Sequence, residues 1–454
     1  MKIMVTGATG FIGKELVKRL NDKGHEMVVL TRKPEAARFN IPVECELREW
    51  EPEGKALSPS IMKGIDAVIN LAGEGIANGL WTDTRKQKIM NSRVSSVRRL
   101  VDAMVQCNKR PRVFVSASAI GFYGDRGDES LDETAREGEG FLSRVCQRWE
   151  NEIFETKDSG IRTVALRFGM VLGHDGGALG AMEPAFRLGL AGRLGDGRQW
   201  MSWIHIHDLV DLLIHAVEQP GMNGIYNAVS PNPVRNLEFT KTLGQTLKRP
   251  TILPVPAFAL RLLLGELSGL LLASQRVSAD KIVKTGFNFN FANLKDALED
   301  ICKQSFHEIQ TEQWVPQPIH KVFEFFRDAR NLEKITPGDM RFRVVDQSTR
   351  EIEEGTRINY RFSFHGIPMR WQSKIVYWKP DEKFSDLQMK GPYQYWRHTH
   401  EFTEKNNGTL IRDRVHYKIP LSFAIDWAAK GWIRRNLETV FNYRRHTLAR
   451  LLDG

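Results

Sequence analysis

Lys2-Ile3-Met4-Val5-Thr6-Gly7-Ala8-Thr9-Gly10-Phe11-Ile12-Gly13 is an apolar run that ends in a turn carrying glycines at positions 7, 10 and 13. Its first five residues predict a buried strand, and Gly13–Lys23 a helix that Gly24 ends. Between strand and helix each glycine has its own task. Gly7 permits a tight turn, Gly10 lets backbone N–H groups approach a pyrophosphate, and Gly13 lets the helix pack closely on the strand. A helix N-terminus also favours an anion. The candidate nucleotide contacts here are Gly7, Thr9, Gly10, Phe11, Ile12 and Gly13. A glycine triplet alone is weak evidence; the preceding strand and following helix supply the context it needs.

The next predicted strand, Met27–Thr31, runs into Arg32-Lys33-Pro34, with no acid where an NAD site places one on the ribose 2′-hydroxyl. Arg32 suits bidentate pairing with a 2′-phosphate and Lys33 adds a point charge, so the pattern predicts NADP(H). Further apolar runs at Ala67–Leu71, Arg112–Ser116 and Thr163–Phe168 alternate with helical stretches at Thr84–Val105 and Phe141–Thr156. That alternation predicts βαβ units, an α/β Rossmann fold with a doubly wound parallel sheet. The glycine-rich stretch Gly173–Gly197 reads as a loop closing over a ligand, and Ile204 to Val217 as a strand end entering a helix. A helical C-terminal cap from about residue 236 completes an expected first domain of residues 1–303.

Beyond residue 304 the pattern changes to aromatic-rich alternating strands at Arg357–Phe364, Met369–Trp378, Tyr395–Thr403 and Thr409–Ile419, with a hairpin signal at Asn407-Gly408. A long amphipathic helix over Ala424–Leu452 follows, so residues 304–454 are expected to form an α+β domain. Trp371, Trp378, Tyr393, Tyr395, Trp396, Phe402, Trp427 and Trp432 are candidates to line an apolar cavity there, against the plainer reading of core aromatics. Arg434, Arg435, Arg444 and Arg445 read as a solvated helix face, with contact to an anionic ligand or membrane surface left open.

Hydrophobic residues at 41% and charged residues at 26% fit a globular protein. The net charge of +10 is mixed with acids and forms no long basic run, which disfavours nucleic acid as a partner. Four scattered cysteines without a C-x-x-C pair predict neither a metal site nor a disulfide framework and fit a cytoplasmic setting. No secretion signal is evident at the start. The apolar stretch Ile252 to Ala273 is broken by Pro254, Pro256, Arg261 and Glu266, so a buried helix pair is expected rather than integral membrane contact.

Taken with the nucleotide motif, roughly residues 1–300 resemble an atypical epimerase-like branch of the extended short-chain dehydrogenase/reductases. Asn70-Leu71-Ala72-Gly73 is similar to the family's Asn-x-Ala-Gly turn, which implies that Leu71, Ala72 and Gly73 border the adenine and ribose. Ser116-Ala117-Ser118-Ala119 resembles its serine-rich strand end, which implies Ser118 as the active-site serine and Ser116 beside the cofactor. Leu166-Arg167-Phe168-Gly169 resembles the segment after the sixth strand and implies a cofactor contact at Arg167, and Trp203 to Val210 resembles a His-Val-x-Asp-Leu stretch. The family's Tyr-x-x-x-Lys pair, however, falls on Leu142 and Cys146, which cannot carry its acid–base chemistry. Tyr123 is the substitute proton donor; His205 and His207 are weaker candidates.

Trp314 to Phe326 and Asn331 to Pro337 resemble the helix-grip superfamily of START-like and polyketide-cyclase-like proteins (SRPBCC), which implies a cavity for an apolar ligand. Two functional readings stand side by side. One is an NADPH-dependent oxidoreductase acting on a hydrophobic small molecule; the other is a catalytically silent NADP(H)-binding sensor. A third, a lipid-associated scaffold, rests only on the basic C-terminal helix.

Overall fold

Continuous runs of Val, Ile, Met and Ala, buried on both sides, suit a parallel sheet covered by helices on each face. The computed structural model describes residues 1–34, 37, 41–54, 56–174, 176–303, 307–418 and 423–452. It divides into two compact units, one of Met1–Asn40 with Cys45–Lys303 and one of Ile41–Glu44 with Gln304–Gly454.

In the first unit seven parallel strands lie in the order Gly224–Ala228, Arg162–Phe168, Val113–Ala119, Ala67–Asn70, Lys2–Thr6, Glu26–Thr31 and Glu46–Glu49. The strand order reverses beside Lys2–Thr6, and the carboxyl ends of the strands at such a switch point form the crevice where open α/β sheets bind ligands. Helix Asp83–Gln106 lays Val97, Leu100 and Val101 against Met4, Val68 and Phe114 of the sheet. A second core forms beneath the cap, where Trp203, Phe239 and Leu298 meet.

Two expectations are corrected here. The stretch Gly173–Gly197 is not all loop, because Gly177–Arg187 is helical and buries Leu179 and Phe186 in the cap core. Burial of those two side chains outweighs the low helix propensity of the glycines. The stretch Ile252 to Ala273 holds two short helices, Ala257–Leu264 and Gly269–Leu272, but only part of it is buried. Leu260 and Leu267 face inward, while Phe258, Leu262 and Leu263 are exposed. Among the described residues no helix is long and apolar enough to cross a membrane.

The second unit is a seven-stranded antiparallel sheet in the order His307–Val315, Gly408–Lys418, Tyr395–Lys405, Lys383–Lys390, Ile367–Lys379, Arg357–Phe364 and Arg343–Gln347. Helices Ile319–Arg327 and Phe423–Leu452 accompany it, the arrangement of a helix-grip domain. The hairpin turn sits one residue earlier than its sequence signal. Lys405 pairs with Gly408, so Asn406 and Asn407 are the turn residues, both with positive φ. The last expected strand residue, Ile419, lies outside the described residues.

Candidate functional site

The glycine turn of the first unit has the geometry its sequence demands. Gly7 has φ of +70°, and a Cβ there would lie 2.6 Å from the Leu71 carbonyl oxygen. A Cβ on Gly13 would collide with the Gly7 carbonyl and lie 2.6 Å from the Ala8 Cα, so a bare backbone is required for the helix to meet the strand. Helix Phe11–Asp22 starts at Gly10, and no side chain caps it. Its first amides are thus available to an anion. Thr9 and Gly10 are exposed, and Phe11 and Ile12 partly so. The Phe11 ring fills the space above Gly173, Gly176 and Gly177, where any Cβ would strike it.

Three neighbouring strands are tied together at this edge. Thr6 and Asn70, the last residues of their strands, stand in register with Ser116 in the middle of the third. The Thr6 hydroxyl donates to Asn70 Oδ1 at 2.7 Å, and Asn70 Nδ2 donates to Ser116 Oγ at 3.0 Å. The N–H groups of Leu71 and Ala72 both donate to Thr6 Oγ1 at 3.2 Å. This clamp fixes the path of Leu71, Ala72 and Gly73 beside Gly7, while Ser116 itself is fully buried. Arg32 and Lys33 are exposed just past strand Glu26–Thr31, which pairs with Lys2–Thr6 at the same edge.

Ser118, Tyr123 and Arg167 do come together, but in the interior. Ser118, Arg167 and Asn227 occupy one level of three adjacent strands. Arg167 makes a bidentate pair with Glu150, with Nε–Oε1 and Nη2–Oε2 both at 2.8 Å. Ser118 Oγ donates to Glu150 Oε1 at 2.6 Å. Arg167 Nη1 donates to the Tyr123 hydroxyl at 2.9 Å, and that hydroxyl lies 2.7 Å from Asn227 Oδ1 and 3.0 Å from the Asp132 carbonyl. The Arg167 guanidinium also lies over the Phe122 ring at 3.6 Å. Burial works to lower the Arg167 pKa, but Glu150 and Tyr123 outweigh it and raise it. Burial pushes the Tyr123 phenol up to about 12, against Arg167.

A tyrosine expected to face the nicotinamide is therefore wholly buried, with its hydroxyl engaged on three sides. Arg167, expected at the cofactor, is 2% exposed and held by Glu150. Sequence reasoning missed Glu150 and Asn227 as members of this network. The signal for Glu150 was a carboxylate on the inward face of the amphipathic helix Phe141–Ile153. Leu142 and Cys146 pack under Gly121, and burial pushes the Cys146 thiol up to about 12.

His205 has a structural role, while His207 is partly exposed beside Glu15. His205 Nδ1 accepts from the His207 N–H at 3.2 Å and caps helix Ile206–Glu218. The ring proton then belongs on Nε2, 3.4 Å from Asp300 Oδ2, and burial holds the pKa down to about 3. With neither nitrogen offering a free lone pair, the cluster His205–His207–Asp300 makes a poor metal site.

The second unit contains a cavity of about 460 Å³. Trp371, Tyr393 and Trp396 line it as expected. Trp378 and Phe402 instead pack with Phe323 in the core, and Tyr395 falls on the opposite strand face from Trp396. The side chains of Trp427, Trp432 and Arg434 lie outside the described residues. Arg444 departs from the expected solvated face and lines the cavity, and Arg445 is buried. The helix turns these two toward the sheet because Phe441 and Leu448, on the same stripe, fill the core.

Comparison with known proteins places these features. The chain is 39% identical over 312 residues to the chloroplastic epimerase family protein SDR39U1 homolog of Arabidopsis thaliana, covering 67% of this chain and 87% of that protein. This chain belongs to the epimerase family. Residues 3–228 match the NAD dependent epimerase/dehydratase family, residues 255–301 a domain of unknown function, and residues 315–441 the polyketide cyclase / dehydrase and lipid transport family. The epimerase-family unit is also similar to the human epimerase family protein SDR39U1, crystallised with NADPH, at 33% identity and a TM-score of 0.60, covering 67% of this chain and 99% of that one. A nucleoside-diphosphate sugar epimerase from Corynebacterium glutamicum matches at 31% identity and a TM-score of 0.55, over 66% of this chain and 58% of that one. The expected fusion of an epimerase-like Rossmann unit with an SRPBCC unit is thus borne out.

Proposed function

We propose that the epimerase-family unit binds NADP(H) and serves as an oxidoreductase for a hydrophobic small molecule, and that the cavity of the second unit holds an apolar ligand. The observation that carries the first part is the uncapped helix start at Gly10, set in a turn where neither Gly7 nor Gly13 has room for a side chain. Gly7, Thr9, Gly10, Phe11, Ile12 and Gly13 would hold the pyrophosphate; Leu71, Ala72 and Gly73 would border adenine and ribose; Arg32 and Lys33 would meet the 2′-phosphate. The NADPH in the human relative supports the same choice of cofactor. Bound there, the nicotinamide supplies or accepts a hydride.

Ser118 and Tyr123 enter this reading as positioning residues. With Glu150, Arg167 and Asn227 they brace the sheet edge beneath the cofactor, and a wholly buried phenol held by Arg167, Asn227 and the Asp132 carbonyl is out of reach of a substrate. The same burial of Tyr123, with Leu142 and Cys146 at the positions of the missing pair, favours the second reading, an NADP(H) sensor without turnover.

NADPH fluorescence followed with the full chain and a panel of apolar aldehydes, ketones and quinones separates the two. Oxidation that disappears in Arg32→Asp supports the oxidoreductase. Saturable NADPH binding without oxidation by any carbonyl, and without NADP⁺ reduction by the matching alcohols, supports the sensor.

A further inference from the structure

The inner face of a sheet that packs on a helix is normally apolar. At one level of the second unit it is not. Strand register pairs Asp386 with His398 and His400 with Asp413, so four titratable side chains share the inner face of three adjacent strands. His398 and His400 are each 5% exposed. Asp413 lies 2.5 Å from His400 Nδ1 and 3.4 Å from His398 Nε2, and Asp386 lies 3.9 Å from His398 Nδ1. Arg444 reaches the same end of the cavity from helix Phe423–Leu452. Among the described residues its Nε has no hydrogen-bond partner, while His398 and His400 stand beside Asp413 as its ion-pair partners.

This pole is costly. Polar groups inside a protein are ordinarily paired, and each one left short calls for an explanation. The rest of the cavity wall is mostly apolar, with Phe342, Ile358, Met369, Trp371, Trp396 and Leu437, and its polar side chains are few, Tyr360, Tyr393, Thr336, Asn331 and Asp328. Asp413 is already taken by the two histidines. What is left is a guanidinium, a group that can only donate, with Asp386 beside it and its Nε–H unmatched at the edge of a largely apolar chamber. A donor-only cation calls for an oxygen acceptor, and its charge opposes a metal ion at the neighbouring Asp386, His398 and His400.

On the apolar-ligand reading above, we propose that this pole is a head-group site: the cavity takes an apolar small molecule bearing one oxygen acceptor, a carbonyl or a carboxylate, seated on Arg444 with Asp386 beside it. The acceptor completes the guanidinium, and the aromatic wall takes the body of the molecule. Burial holds the Asp386 carboxyl up to about 6, against His400 and Arg444, so a ligand carboxylate would keep a proton on it and share that proton.

The test uses the full chain and three fluorescent probes of similar size, naphthalene, 2-acetylnaphthalene and 2-naphthoate, titrated with EDTA present and again with Zn²⁺. At least one oxygenated probe should bind about tenfold or more tightly than naphthalene, the range of one charge-assisted hydrogen bond. Preference for the ketone, the acid or both tells which acceptor the pole favours. Arg444→Met should abolish the preference but still bind naphthalene, which also shows that the cavity is still folded; Arg444→Lys should retain part of the preference. Equal binding of all three probes, a preference that survives in Arg444→Met, or a preference seen only with Zn²⁺ would overturn the head-group site while leaving the apolar cavity standing. No binding of any probe would overturn the apolar-ligand reading itself.

Discussion

Glu150 and Arg167 form a bidentate pair in which the side chains are 6% and 2% exposed. Removing one partner of such a pair leaves an uncompensated charge in the interior, which costs about 3–5 kcal/mol. Glu150→Gln keeps the size and is expected to lose stability of that order in urea unfolding; a loss below about 1 kcal/mol would mean that the network is not the brace described. Asp386 gives a prediction with a pH sign. Its folded pKa of about 6 lies above the unfolded value of about 3.9, so its penalty is absent at low pH and grows as pH rises from about 4 to about 6. Asp386→Asn should therefore stabilise the protein by about 1–2 kcal/mol at pH 7.5 and by almost nothing at pH 4, read as the difference between the two urea curves. At this scale the glycines were legible because backbone geometry leaves no alternative to them. Glu150, Asn227 and Arg444 were not, because only the register of distant strands and one turn of a long helix decide which way they face.

Gly408 shows how an element can be read correctly for the wrong residue. Asn407-Gly408 signals a hairpin, and a hairpin is there, but Gly408 opens the following strand rather than completing the turn. A Cβ on it would meet the Val315 carbonyl oxygen and lie 2.6 Å from the Trp314 ring. Gly408→Ala is thus expected to cost about 1–3 kcal/mol through overpacking, seen as a lower thermal midpoint; an unchanged midpoint would return the glycine to a turn role. Amphipathic helices and strands with strong alternation were legible. Strand His307–Val315 was not, since His307, Glu308, Gln310, Glu312 and Gln313 dilute its apolar signal, and long-range pairing with Gly408–Lys418 makes it a strand. Helix Gly177–Arg187 was hidden for a related reason, because its glycines mask two side chains that a distant core receives.

At the scale of the whole molecule, the change in pattern near residue 304 signalled a second fold, and each unit has core clusters of its own. A chain cut between Lys303 and Gln304 is expected to leave an N-terminal piece that unfolds cooperatively and keeps its NADPH affinity within about threefold, since every expected nucleotide contact lies before residue 168. An insoluble piece would show that the first unit does not fold alone.

The central claim is a nucleotide site built for the phosphorylated cofactor. Calorimetric titration of the full chain with NADPH and NADH, at one fixed salt concentration, tests it most directly. NADPH should bind about tenfold or more tightly, and Arg32→Asp should erase most of that margin by weakening NADPH while leaving NADH nearly unchanged. Equal or tighter binding of NADH, or no binding of either, would contradict the account.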